Sequence, residues 1–223
     1  MLSVPHDEGR AAFLDALDGF VGAVRPLDDR ALLAASRCWG WCVVDVVTHV
    51  RLGLEEVASC LLTAGTDLQA PDRDAATYWE TQPAGGDELA GILALRRVAS
   101  ATHAPTGALP PLRTVADALT TRVASLEDGA LGFQGWVLTT GDLLATWAVE
   151  LAVHQLDLGR DLEVARPPAR ALAVGRRTVE ALLGCPVPVE DDEDALLLAT
   201  GRRAPTLGER DRLGPYAERL PAL

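Results

Sequence analysis

The chain has 223 residues, 48% hydrophobic and 23% charged, enough apolar content for one buried core with a small appendage. Its formal net charge of −12 argues against nucleic acid and anionic membrane surfaces as partners. No apolar run reaches the roughly 20 residues needed to span a bilayer.

The N-terminus, MLSVPHDEGR, lacks a basic start followed by an apolar stretch, so a cytoplasmic location is expected. Cys38, Cys42, Cys60 and Cys185 are then expected to be reduced, with Cys38 and Cys42 buried. All 20 of its Lys and Arg positions are arginine, the composition of a GC-rich bacterial genome.

His6 to Val24 reads as a first helix with Phe13, Leu17 and Phe20 on its apolar face, ended by Pro26. A short helix over Leu27–Ser36 follows, then a turn around Gly40. A second long helix runs from about Val43 to Leu62 and carries His49 on its apolar side, where Gly53 leaves room beside the imidazole. Thr63 to Gly86, with Pro71, Pro83, Gly85 and Gly86, reads as a long connection pinned by Tyr78 and Trp79.

Asp87–Ala104 reads as helix, Pro105–Pro111 as a break, and a further helix runs to about Leu126. Glu127–Thr140 reads as a loop. Asp142 opens a helix reaching Leu158; Pro167–Leu183 and Ala195–Thr200 follow, with Asp191 capping the last. Strands should be few or absent, the final twenty residues irregular, and His6 and His103 on the surface.

The chemistry concentrates in Leu143–Leu158, LLATWAVELAVHQLDL. Residues four apart on a helix lie one above the other, so Glu150 and His154 point into the same space. A carboxylate and an imidazole facing a bundle interior need a partner, and a divalent cation suits both. If His49 converges on them from a neighbouring helix, two His and one carboxylate form a set that suits Zn2+ and similar ions and leaves a coordination position open. The competing reading makes His49 a satisfied core histidine. Asp157 reads either as a hydrogen-bonding partner of a metal-bound His or as a solvated helix-end charge.

Ser36–Val50, SRCWGWCVVDVVTHV, resembles the signature of the mycothiol-dependent maleylpyruvate isomerase family, within the DinB-like superfamily. Cys38, Gly40, Trp41, Asp45 and His49 match that signature in type and spacing. Glu150-Leu-Ala-Val-His154 with Asp157 resembles the family's second motif, and Thr200-Gly201-Arg202 a short motif near the C-terminus of many members. Trp39 replaces the usual Pro, and Cys42 and Val44 replace residues that are usually polar. These changes suggest a covered surface, as in a homodimer.

The resemblance implies an all-α, DinB-like four-helix bundle over residues 1–160, with a short, mainly helical extension over 161–223. It implies a divalent metal, usually zinc, on His49, Glu150 and His154, and the thiol mycothiol as cofactor, which agrees with the lysine-free, actinobacterial-type composition. The implied chemistry is thiol transfer to a small electrophilic substrate, or its isomerisation through a thiol adduct. The short C-terminal region favours transfer, with Arg202 the arginine singled out for a catalytic role. The alternatives are a non-catalytic ligand- or partner-binding protein on the same fold, and a metal-dependent hydrolase.

Overall fold

The computed structural model describes residues 1–62, 70–81 and 88–223. These form α1 (His6–Val24), α2 (Asp29–Leu32), α3 (Val43–Leu62), α4 (Glu88–Ala99), α5 (Leu109–Ala124), a hairpin of β1 (Ala130–Phe133) and β2 (Trp136–Thr139), α6 (Thr140–Leu158), α7 (Ala169–Leu183), α8 (Asp192–Ala199) and α9 (Leu207–Leu213). The chain is mostly helical, with this single small sheet among the described residues.

Helices α1, α6, α3 and α5 pack in a ring, each touching the next. α6 is the axis of the molecule. Eighteen of its residues are buried and only Glu150 is not. A helix apolar on every side has to lie inside the core, and α6 is wrapped by α1, α3, α7 and the hairpin. It starts where the Thr139 side chain accepts from Asp142 N. The Asp142 carboxylate accepts in turn from Val4 N at 2.7 Å, tying the N-terminal segment to this helix start. Two glycines let α1 approach: a methyl on Gly9 or on Gly141 would overlap the backbone of the facing segment.

α7 lies against α6 and α1, and its Ala171, Leu172 and Val174 join the main core. Val179, Leu183, Val187, Ala195, Leu198 and Ala199 form a second, smaller core. Asp191 caps α8 as expected, accepting from Glu193 N and Asp194 N.

Three expectations are corrected. The stretch over 127–140 contains a hairpin, registered Leu131 to Leu138 and Phe133 to Trp136. Its turn, Gln134-Gly135, has φ of 51° and 85°, the doubly positive geometry that matches strand twist. The last twenty residues hold α9, opened by a capping box in which Thr206 and Glu209 each bond the other's backbone N–H. His6 is half-buried, its Nδ1 2.7 Å from Thr140 Oγ1. Of the long connection, 63–69 and 82–87 lie outside the described residues, including Pro83, Gly85 and Gly86; Tyr78 is buried in the main core. Trp39 is 72% exposed. No helix among the described residues is long and apolar enough to cross a membrane.

Candidate metal centre

α3 and α6 are neighbours, so a histidine on the inner side of α3 meets the polar edge of α6. His49 Nε2 and His154 Nε2 each lie 3.1 Å from the same atom, Glu150 Oε1. Ligand atoms of these three residues lie within 4.8 Å of one another. The two rings stand edge to face, with centroids 4.8 Å apart, and the Trp41 ring packs tilted against His49 with centroids 5.1 Å apart. The convergence expected of His49, Glu150 and His154 is therefore present in the fold.

His154 is held from behind. Its Nδ1 lies 2.9 Å from Asp157 Oδ2, and Asp157 is fully buried. A carboxylate on Nδ1 keeps a proton there, so Nε2, once its own proton is displaced, is the atom that can ligate a cation beside Glu150. Arg202 fixes this carboxylate: its Nε donates to Oδ1 at 2.9 Å and its Nη2 to Oδ2 at 3.0 Å. Arg202 thus reaches the centre through Asp157. Of the two readings of Asp157, the solvated helix-end charge does not survive its burial.

Burial works against charge on all three of these α6 groups, and their mutual attraction outweighs it. Burial raises the pKa of Glu150, but the His154 charge and hydrogen bonds from both histidines hold its carboxyl well below the usual range. Burial likewise opposes charge on Asp157, and bonds from His154 and Arg202 hold its carboxyl down. His154 is raised well above an ordinary imidazole despite burial, by the Glu150 charge and the bond to Asp157. In the metal-free protein both carboxylates therefore stabilise the fold above the ordinary carboxylate range, and that stabilisation is lost as pH falls.

Sequence reasoning placed Cys38 among buried thiols. The structure instead has it half-buried beside this centre, its Sγ 3.1 Å from Asp157 Oδ2 and 4.0 Å from His154 Nδ1. Its place in the Ser36–Val50 motif was the available signal. Cys38, His154 and Asp157 form a second group with ligand-like spacing, but the Arg202 guanidinium on Asp157 disfavours a cation there. Among the described residues no arginine forms an ion pair with Glu150, and the set of His49, Glu150 and His154 borders a cavity of about 180 Å3 also lined by Trp147 and Thr146. The room expected beside His49 at Gly53 is filled by the Trp147 ring, which a methyl on Gly53 would strike.

A family model, the mycothiol maleylpyruvate isomerase N-terminal domain, matches residues 13–159. The chain belongs to this family. The match takes in α3 and α6, and with them His49, Glu150, His154 and Asp157. Arg202 lies beyond it. Neither a curated protein nor a solved structure matches the chain. Family and site together point to a mycothiol-related, metal-binding DinB-like protein.

Asp157→Asn is expected to weaken metal binding 10- to 100-fold, roughly the usual effect of losing the partner behind a ligating histidine. Competition with a chelating indicator measures it. An unchanged affinity would mean that Asp157 serves only to pair Arg202.

Proposed function

We propose that the protein is a metal-dependent enzyme that transfers a low-molecular-weight thiol, mycothiol or one like it, to a small electrophile. The observation that carries this is the convergence of His49 Nε2 and His154 Nε2 on Glu150 Oε1 beside a cavity. The donor set fits a divalent ion such as zinc: two neutral imidazoles and one carboxylate, with a position left for an exogenous ligand. When bound, the ion supplies the positive charge that makes a thiol acidic near neutral pH.

The chain's own residues set up the rest. Glu150 acts as ligand and balances charge, and both histidine contacts to Oε1 hold its carboxylate in place. Asp157, clamped by Arg202, keeps His154 in the tautomer that offers Nε2. Arg202 is accordingly a positioning residue. The reaction is a displacement or an addition: the thiol gives its proton to solvent and the sulfur forms an S–C bond, while the leaving group departs with its bonding pair, or the π pair shifts to the neighbouring atom and is protonated from solvent.

The ring of α1, α6, α3 and α5 supports the four-helix bundle that the resemblance implies. On this reading residues 1–160 hold the ligand set, and the extension over 161–223 contributes the Arg202 clamp. A thiol-consumption assay tests the proposal, with mycothiol and a panel of small electrophiles, wild type beside His49→Ala. Wild type is expected to exceed the variant by at least about a hundredfold. Turnover without any thiol would instead point to hydrolysis, and equal rates in both proteins would remove the centre from the reaction.

A further inference from the structure

The cavity beside the ligand set has an unusual charge balance. Its walls include the aromatic rings of Tyr78, Trp79 and Trp147, and its carboxylates are Glu150 and Glu56. His49 is the only basic residue among the described residues that line it. Among the described residues that line the cavity none carries a guanidinium, and the Arg202 guanidinium of the neighbouring centre is paired with Asp157.

Glu56 is also held in place. Gln134 Nε2 donates to Glu56 Oε2 at 2.9 Å, and the buried Tyr78 hydroxyl donates to Gln134 Oε1 at 2.7 Å. Gln134 sits in the hairpin turn and is the single non-glycine residue with positive φ among those described. Such a conformation is uncommon for a residue with a side chain, and Asn or Gly is the usual occupant of this kind of turn. Here Gln reaches from the turn to both Tyr78 and Glu56, which the shorter Asn side chain would not do as readily. An exposed carboxylate that lines the cavity is thereby tied to the hairpin turn.

We propose that Glu56, braced by Gln134 and Tyr78, is a specificity-determining residue that selects uncharged or cationic electrophiles and turns away carboxylate-bearing ones. This rests on the thiol-transfer reading for the word electrophile, but the charge preference belongs to the cavity itself. With a divalent ion, Glu150, a bound thiolate and Glu56 all in place, the pocket is left net negative. A second negative charge on the substrate is then unfavourable against low-dielectric aromatic walls. A cation gains from the same field and from the ring faces available to it.

The test uses three single-ring probes that differ in charge: benzylammonium, benzyl alcohol and benzoate. Calorimetry on the full-length, metal-free protein gives their affinities without relying on catalysis. The expected order is benzylammonium tightest and benzoate weakest, with at least about a tenfold gap between them. Glu56→Gln keeps an acceptor for Gln134 and removes the charge. It should shrink that gap about fivefold, and Gln134→Ala, which frees Glu56, should shrink it by less. Benzoate binding as tightly as benzylammonium, a gap unmoved in Glu56→Gln, or no saturable binding of any probe would overturn the proposal. Metal content is read separately. A protein that binds zinc but shows no charge preference loses this inference alone, and one with the preference but no metal loses the enzymatic reading alone.

Discussion

Zinc at a thousandfold its dissociation constant is expected to raise the thermal midpoint of the metal-free protein by roughly 10 °C. A ligand that binds only the folded state stabilises by about 4 kcal/mol at that excess. For a chain of this size each kcal/mol moves the midpoint by about 2–4 °C. The unfolded chain has no such site because the ligands come from separate parts of the sequence: His49 from α3, and Glu150 and His154 from α6. Without metal, His154 is charged between Glu150 and Asp157, so metal uptake also displaces a proton, and the shift should shrink as pH falls. His49→Ala and Glu150→Gln should each lose at least about a hundredfold in affinity and most of the shift. Differential scanning calorimetry with and without zinc reads this directly. A full shift surviving in His49→Ala would place the metal elsewhere.

Gly141→Ala should be the most damaging conservative change in the fold. In an ordinary helix, Gly to Ala stabilises by about 0.5–1 kcal/mol. At Gly141 the added methyl would overlap the Val4 carbonyl oxygen and come within 2.8 Å of His6 N. Both are backbone atoms and cannot swing away, and Val4 N is itself bonded to Asp142. Separating α1 from α6 would loosen the most extensive helix pair in the core. Overpacking of this kind is expected to cost about 3 kcal/mol, which outweighs the gain in propensity. Gly22 is the control: it sits in α1 with open space around it, and Gly22→Ala should stabilise slightly. Urea unfolding midpoints compare the two. Equal behaviour would mean that the α1–α6 approach is not as close as described.

The ligand set was legible because helical geometry is local. Glu150 and His154 are one turn apart, and His49 stands among valines that mark the inner side of α3. Local spacing does not say what lies behind a ligand. The clamp of Arg202 on Asp157 joins residues 45 positions apart, and Cys38 meets Asp157 across 119. Such contacts depend on how α8 and the α2–α3 turn are laid against α6, which no periodicity encodes.

The hairpin escaped for a different reason. Its strands are four residues each, too short to display alternation, and its turn carries Gln where Asn would have signalled it. α9 lies among glycines and prolines, yet Thr206 and Glu209 had the spacing of a capping box, a signal that the composition obscured. The mismatch matters for function, since the hairpin turn supplies Gln134 beside the cavity.

The most direct measurement is metal content by elemental analysis of protein purified without an affinity tag, wild type beside His154→Ala. About one equivalent of zinc or another divalent ion in wild type, lost in the variant, is the predicted result. Wild type that stays free of metal after incubation with zinc, or a variant that retains it, would contradict the assignment of His49, Glu150 and His154 as a metal centre.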